Sequence, residues 1–247
     1  APVFNPEEFN KAEKVFLFLG PTGCGKSTTI NYLLGNKFEY IIDGMTTYVK
    51  VVEGEGPRIG HSANSQTIKI EPCPKDKFIL CDCPGSNDTR GLIQELANAK
   101  AVSSFVSGII KSKLEIGFVL PISSSAITEE KGAKLKELLR LIVQLFGRIA
   151  RAKDCITLFV TKVRDLFQVN HVIASLQKIS ESNLSTEEAR VLRGFIGPDA
   201  TRRIQLLKEG DFLREADPSK LNAIQTIPAT ELQGHMGLML SSRAKAC

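Results

Sequence analysis

The feature that most constrains the fold is a glycine-rich turn that joins an apolar run to a helical pattern. Five consecutive apolar residues, Val15–Leu19, precede a segment with the spacing G-x-x-x-x-G-K-S/T, which ends at Lys26 and Ser27. The run is typical of a strand buried on both faces, and residues 26–34 have the pattern of a helix that ends at Gly35. A strand, a tight turn and a helix in this order predict a strand–helix unit of an α/β protein.

A turn of this spacing is suited to binding phosphate groups. Its glycines let backbone N–H groups point inward around a phosphate chain. The Lys26 ammonium would reach the β- and γ-phosphates, the Ser27 hydroxyl would be a ligand of Mg²⁺, and Thr28 lies where the α-phosphate meets the helix N-terminus. We therefore expect a nucleotide phosphate site at Gly20, Thr22, Gly23, Cys24, Gly25, Lys26, Ser27 and Thr28. Because a helix N-terminus lowers a thiol pKa, oxidation of Cys24 is a candidate switch, and the alternative is a small residue of the loop.

The rest of the chain alternates between strand and helix patterns. Strands are predicted over 67–71, 77–81, 116–120 (ended by Pro121) and 155–160, and helices over 92–113, 128–149, 169–180 and from 185. A turn over 72–76 makes the first two strands an antiparallel hairpin, whereas 36–66 predict a long loop with a short strand over 46–52. Residues 193–247 show no strong period. This order predicts a three-layer α/β fold of the P-loop NTPase type, with a mostly parallel central sheet and one antiparallel hairpin.

Further segments follow predicted strands, and together with the phosphate loop they resemble GTPases. An apolar strand ends in Asp82-Cys83-Pro84-Gly85, which resembles the D-x-x-G motif. Asp-Thr-Arg-Gly at 88–91 and the Ser/Thr-rich segment 60–67 are similar to septin-like and immunity-associated (AIG-type) GTPases. The segment Thr161–Asp165 resembles the N/T-K-x-D motif with the aspartate one residue late, a form seen in guanylate-binding and atlastin-like GTPases. The resemblance covers residues 15–165 and implies a G domain.

The resemblance assigns a role to each of these positions. Asp82 would hold Mg²⁺, and the Gly85 N–H would sense the γ-phosphate. Thr67 would contact Mg²⁺ and the γ-phosphate, with Ser62, Ser65, Thr46 and Thr47 as alternatives. Asp165 would accept hydrogen bonds from the guanine edge, with Thr161 beside it and either Lys162 or Arg164 packed on the base. The segment 222–229 is a candidate for a fifth guanine-contacting motif.

The same resemblance implies a GTP- and GDP-binding switch that uses Mg²⁺. Ser86 stands where small regulatory GTPases place a water-positioning glutamine, so we expect slow hydrolysis. A protein partner or a homodimer across the nucleotide face would accelerate it, with Arg58 or Arg90 as an arginine finger, and a membrane is a further possible docking partner. One alternative is a nucleotide-gated scaffold with negligible turnover. Another is an ATPase, because the phosphate loop also resembles that of ABC transporters, although their signature motif and Asp-Glu pair are not found.

Composition bounds the remaining choices. The chain has 247 residues with a net charge of +5 and no run of five basic residues, which argues against a dedicated nucleic-acid surface. Six cysteines without a secretory signal indicate reduced thiols, and hence a cytoplasmic protein or one peripheral on an intracellular membrane. We expect a GTP-binding domain over 1–230. The tail over 231–247 is a candidate start of a further region in a longer protein.

Overall fold

A mostly parallel sheet forms the centre of the computed structural model, which describes residues 9–44, 46–60, 69–85, 92–128, 133–146, 152–179 and 184–232. Its parallel strands lie in the order β5 (Phe78–Asp82), β1 (Lys14–Phe18), β6 (Glu115–Ser123), β7 (Ile156–Val163) and β8 (Ile204–Lys208). At one edge β4 (Glu71–Lys75) pairs antiparallel with β5, and the short β9 (Ile227–Pro228) pairs antiparallel with the start of β6. Strands β2 (Lys37–Asp43) and β3 (Thr46–Glu53) form a separate antiparallel hairpin. The predicted fold class is confirmed.

Helices cover both faces of this sheet. Their bounds are α1 Lys26–Leu34, α2 Leu92–Ile110, α3 Ser124–Thr128, α4 Ala133–Phe146, α5 Val169–Gln177, α6 Thr186–Ile196, α7 Ala200–Arg203 and α8 Pro218–Asn222. Among the residues described, none of these helices combines the length and hydropathy needed to cross a bilayer. The start of α6 is fixed by a capping box, in which the Ser185 hydroxyl accepts from the Glu188 N–H and the Glu188 carboxylate accepts from the Ser185 N–H.

The alternation of side chains along β1 produces the three layers. Val15 and Leu17 point to one face, where they join a buried cluster that includes α2, α4, α5 and α6. Phe16 and Phe18 point to the other face and join a second buried cluster that includes α1, the hairpin and α8. All four side chains are fully buried, as expected for a strand covered on both sides. Because these strands are parallel, their carboxyl ends meet at one edge of the sheet, and the glycine-rich loop leaves β1 at this edge.

The hairpin β2–β3 replaces much of the loop predicted over 36–66. The short strand expected at 46–52 is confirmed as β3. Its partner β2 lies where a loop was predicted, and that part of the prediction was wrong. Phe38 and Tyr40 face Val51 and Val49 across the hairpin, and Gly44 at the turn has φ +60°, a conformation that glycine adopts readily. The alternation of β2 followed by Asp-Gly was the signal for a hairpin.

Three prolines, Pro72 and Pro74 in β4 and Pro121 in β6, misled the prediction of strand boundaries. Residues 72–76 were predicted as a turn, yet β4 occupies 71–75; of the strand predicted over 67–71, residues 67 and 68 lie outside the described part. Among the described strands β4 pairs with β5 alone, and an edge strand tolerates proline because its outer side needs no partner. Likewise β6 continues through Pro121 to Ser123. Strand β1 ends at Phe18, opposite Val119, so no strand partner on that side requires a backbone N–H from residue 121.

Three other elements differ from the sequence prediction in their bounds or in their presence. The helix predicted over 128–149 is two helices, α3 and α4, and residues 129–132 and 147–150 lie outside the described part. Strand β7 runs three residues past the predicted end, to Val163. The prediction missed β8 entirely. Its five residues carry little periodicity, and pairing with the last residues of β7 is what makes them a strand.

Candidate functional site

The glycine-rich turn has the strand–loop–helix geometry that its sequence predicts. It leaves β1, and α1 begins at Lys26, with Gly20, Gly23 and Gly25 at φ +147°, +78° and +95°. These conformations turn backbone N–H groups toward the inside of the loop. The Lys26 side chain is buried, and its ammonium donates to the carbonyl oxygens of Gly20 (3.3 Å) and Pro21 (3.2 Å). The lysine is therefore held against the loop at its phosphate-binding side.

The two predicted magnesium ligands that lie in the described residues are in direct contact. The Ser27 hydroxyl donates to Oδ2 of Asp82 at 2.7 Å. Asp82 is the last residue of β5 and is fully buried, while Ser27 is in the first turn of α1. A hydroxyl and a carboxylate are the hard oxygen ligands that Mg²⁺ prefers. The pair therefore fits a magnesium site beside the phosphate loop.

Gly85 lies against the phosphate loop so closely that only glycine fits. A Cβ at this position would be 2.5 Å from the Thr22 hydroxyl and 2.8 Å from the Thr22 backbone nitrogen. The D-x-P-G segment thus contacts the phosphate loop, next to which it was predicted to lie.

The T-K-V-R-D segment reaches the other side of the same loop. Thr161 is buried, and a Cβ at Gly25 would be 3.5 Å from its hydroxyl. The pairing of β7 with β8 shifts register between Val160 and Val163, and within that irregularity Lys162 adopts φ +54°. Such a conformation is unusual for lysine and is found most often at functional sites. The irregularity places Lys162 at the cavity described below.

Asp165 is held by the turn that follows β8. The Gly210 N–H donates to Oδ1 of Asp165 at 3.3 Å, and the Lys208 ammonium donates to its backbone carbonyl at 2.8 Å. A Cβ at Gly210 would be 2.9 Å from the carboxylate. The segment 209–213 therefore supports the carboxylate that was predicted to bind guanine.

One cavity of about 760 Å³ connects the two sets of residues. Its lining includes Thr22, Gly23, Gly25, Lys26, Ser27 and Thr28 of the phosphate loop, Thr161, which lies against Gly25, and Lys162 and Asp165, which follow Thr161 in the chain. The volume is in the range of cofactor-sized sites, about 300–1,000 Å³. The cavity brings the predicted phosphate end and the predicted base end together.

Some predicted residues lie elsewhere or outside the described residues. Thr67, with its alternatives Ser62 and Ser65, and Arg90 lie outside the described part. Of the remaining alternatives, Thr47 lines the cavity, and nothing is described of the Thr46 side chain. Arg164 is exposed and is not part of the cavity lining, so of the two candidates for packing on the base only Lys162 lies there. Arg58 is exposed and adjoins Ile59 and Gly60, which line the cavity.

Sequence reasoning missed most of two walls of the cavity. One is the hairpin, which contributes Tyr40, Tyr48 and Val49 beside the predicted alternative Thr47, and the other is the turn after β8, which contributes Glu209, Gly210, Phe212 and Leu213. The alternation of β2 was a usable signal for the first wall, but no local signal marked the second. The segment 222–229, the candidate for a fifth guanine-contacting motif, includes β9. This strand pairs with the start of β6, at the edge of the sheet opposite the cavity.

The environment of Cys24 differs from the expectation of a lowered pKa. Burial raises the pKa of this thiol; the Lys26 charge opposes the increase, and the Asp82 charge adds to it. Cys24 is partly buried, its sulfur lies 3.0 Å from where a Gly20 Cβ would be, and it is not part of the cavity lining. The helix N-terminus therefore does not make Cys24 a reactive thiolate.

Comparison with solved structures identifies the fold. The chain superimposes on the crystal structure of "a probable GTP-binding protein engB" with a TM-score of 0.51 and 16% identity, covering 85% of this chain and 96% of that one. The fold is that of the engB structure. The signal recognition particle receptor SRb-GTP/SRX complex from Chaetomium thermophilum also matches, with a TM-score of 0.41, 16% identity and coverage of 80% and 90%. No protein-family model matches the sequence, and no curated protein matches it.

Proposed function

We propose that this chain binds GTP and GDP with Mg²⁺ and slowly hydrolyses GTP. The observation that carries the proposal is the single cavity that has Lys26 at one end and the Asp165 carboxylate at the other. A ligand that fills it needs a polyanionic part for the loop and a hydrogen-bond-donating base for the carboxylate. A guanine nucleotide has both.

The phosphate end supplies positive charge and oriented dipoles. The loop amides at the start of α1 and the Lys26 ammonium would bind the phosphate oxygens, as helix N-termini and glycine loops do. Mg²⁺ would be held by Ser27 and Asp82 and would neutralise phosphate charge when bound. Phosphoryl transfer depends mainly on positioning and on charge neutralisation, both of which these groups provide.

The base end supplies selection for guanine. The exposed Asp165 carboxylate has one oxygen that accepts from the Gly210 N–H, which fixes its orientation. A carboxylate accepts hydrogen bonds but donates none, so it pairs with the N–H groups on the guanine edge and rejects the acceptor that adenine presents there. The Lys162 side chain is at the same end of the cavity and would cover the base with its aliphatic stem.

Single-turnover hydrolysis tests the catalytic part of the proposal. GTP bound to excess protein should be converted to GDP and phosphate slowly, in a reaction that requires Mg²⁺. Lys26→Ala should abolish nucleotide binding, whereas Lys50→Ala, an exposed lysine of the hairpin, should not. Binding without detectable product would indicate a nucleotide-gated scaffold and would contradict slow hydrolysis.

We also propose that two copies meet across the nucleotide face, as in the septin-like and AIG-type GTPases that the D-x-P-G and D-T-R-G motifs resemble. Exposed apolar side chains support this: Leu166, next to Asp165, is 89% exposed, and Leu213, which lines the cavity, is 66% exposed. Both signs of charge are present there, in Lys162 and Asp165, as a self-complementary interface needs.

The dimer predicts a hydrolysis rate constant that rises with protein concentration. Leu166→Ser should lower the rate at high concentration, whereas Val52→Ser, which changes an exposed residue of the hairpin outside the cavity lining, should not. A rate constant that stays the same over a wide concentration range would contradict the dimer. That outcome would favour a membrane or protein partner.

A further inference from the structure

The hairpin β2–β3 covers the base end of the cavity without belonging to the central sheet. An isolated two-stranded hairpin is marginally stable in water, so its position depends on what it packs against. Here it packs against the turn 209–213, which also supports Asp165. We propose that Tyr40 is a positioning residue, which acts through the 209–213 turn to hold Asp165 for base recognition. This inference rests on the proposed function.

The first link is a hydrogen bond between the hairpin and the turn. The Tyr40 hydroxyl donates to the backbone carbonyl of Glu209 at 2.5 Å. Burial, followed by the charges of Glu209, Asp165 and Asp211, raises the pKa of this hydroxyl. The group therefore keeps its proton and remains a donor at neutral pH.

A ring contact seats the hairpin independently of that hydroxyl. The ring of Phe38 meets that of Phe212 edge to face, with centroids 5.0 Å apart, and Tyr32 contacts Phe212 in the same way at 5.9 Å. Loss of the Tyr40 hydroxyl should therefore leave the hairpin in place and release only the bond to Glu209.

The second link runs from the turn to the carboxylate. Gly210 follows Glu209, and its N–H donates to Oδ1 of Asp165. A Cβ at Gly210 would lie 2.9 Å from the carboxylate, so the two groups are packed closely, and displacement of Gly210 would lengthen or break the bond between them. Tyr40, Glu209, Gly210 and Asp165 thus form one connected path from the hairpin to the base end.

The test compares Tyr40→Phe with Tyr32→Phe. Each substitution removes one hydroxyl and keeps the ring. The Tyr32 hydroxyl accepts from the Asp217 N–H, away from the cavity. Dissociation of fluorescently labelled GDP and IDP is measured in each variant, because IDP lacks the amino group that a correctly held carboxylate would bind. We expect Tyr40→Phe to release GDP about fivefold faster, as loss of one neutral hydrogen bond predicts, with a smaller effect on IDP.

A double-mutant cycle with Gly210→Ala separates positioning from general loosening. If Tyr40 acts through Gly210, Tyr40→Phe should add little once Gly210→Ala is present, because coupled residues are not additive. Full additivity, an unchanged ratio of GDP to IDP release, or an equal effect of Tyr32→Phe would overturn the inference while leaving GTP binding intact. Absence of GDP binding by the unmodified protein would overturn the proposed function itself.

Discussion

Substitution of Gly85 by alanine tests the contact between the D-x-P-G segment and the phosphate loop. The added Cβ would lie 2.8 Å from the Thr22 backbone nitrogen and 3.1 Å from its Cα. Ordinary contacts begin near 3.4 Å, so the two backbone segments would have to separate by about half an ångström. Overpacking of this kind costs about 1–3 kcal/mol. Alanine also reduces the entropy of the unfolded chain, which returns about 0.4–1 kcal/mol. We therefore expect a net loss of about 1–2 kcal/mol in the free energy of unfolding.

The matched control is Gly197→Ala. Gly197 has φ −79°, which alanine adopts without strain, and its added Cβ would lie 3.2 Å from a single carbonyl oxygen outside the cavity. Its free energy of unfolding should change by less than about 0.5 kcal/mol. Since the chain has no tryptophan, urea unfolding is best followed by far-ultraviolet circular dichroism, and GTP affinity by a fluorescent nucleotide. Gly85→Ala should also weaken GTP binding. Equal stability and equal GTP affinity in the two variants would refute the close approach.

Three further substitutions or treatments test other parts of the site. Asn31 is 1% exposed and donates to the carbonyls of Ser27 and Pro57. Asn31→Ala should therefore lower the free energy of unfolding, measured by urea denaturation, by about 2 kcal/mol. Asn31→Asp should not restore the lost stability, because a carboxylate cannot donate these bonds. Burial raises the pKa of Cys24, so at pH 8 the thiolate fraction of Cys24 is smaller than that of glutathione. Iodoacetamide should therefore alkylate Cys24 more slowly than it alkylates glutathione. Equal rates would contradict the raised pKa. Asp82→Asn should abolish the effect of Mg²⁺ on GTP affinity, and an unchanged effect would place the magnesium ligands elsewhere.

The phosphate end could be predicted from sequence because all of its information is local. The residues of the loop are adjacent in the chain, and α1 begins and ends where its glycines indicate. Asp82 and Gly85 lie beside the loop as expected, since the end of an apolar strand in a parallel sheet has a fixed place near it.

The base end was only half predicted, because its support comes from residues distant in sequence. Asp165 has a recognisable motif, but Gly210, which orients its carboxylate, is 45 residues away and was seen only in the structure. Strand β8 depends on pairing with β7, and β4 contains prolines that an edge strand tolerates. Local patterns hold no record of such pairings, so the sequence indicated Asp165 as a candidate for base recognition but not the turn that holds its carboxylate.

Calorimetric titration with GTP and ATP in the presence of Mg²⁺ tests whether the cavity selects guanine. We expect the unmodified protein to bind GTP at least about 100-fold more tightly than ATP, because the Asp165 carboxylate would pair with guanine and not with adenine. We also expect Asp165→Asn to lower the affinity for GTP and to raise the affinity for XTP. Equal affinity for GTP and ATP, or no change in the preference between GTP and XTP on Asp165→Asn, would contradict this selection.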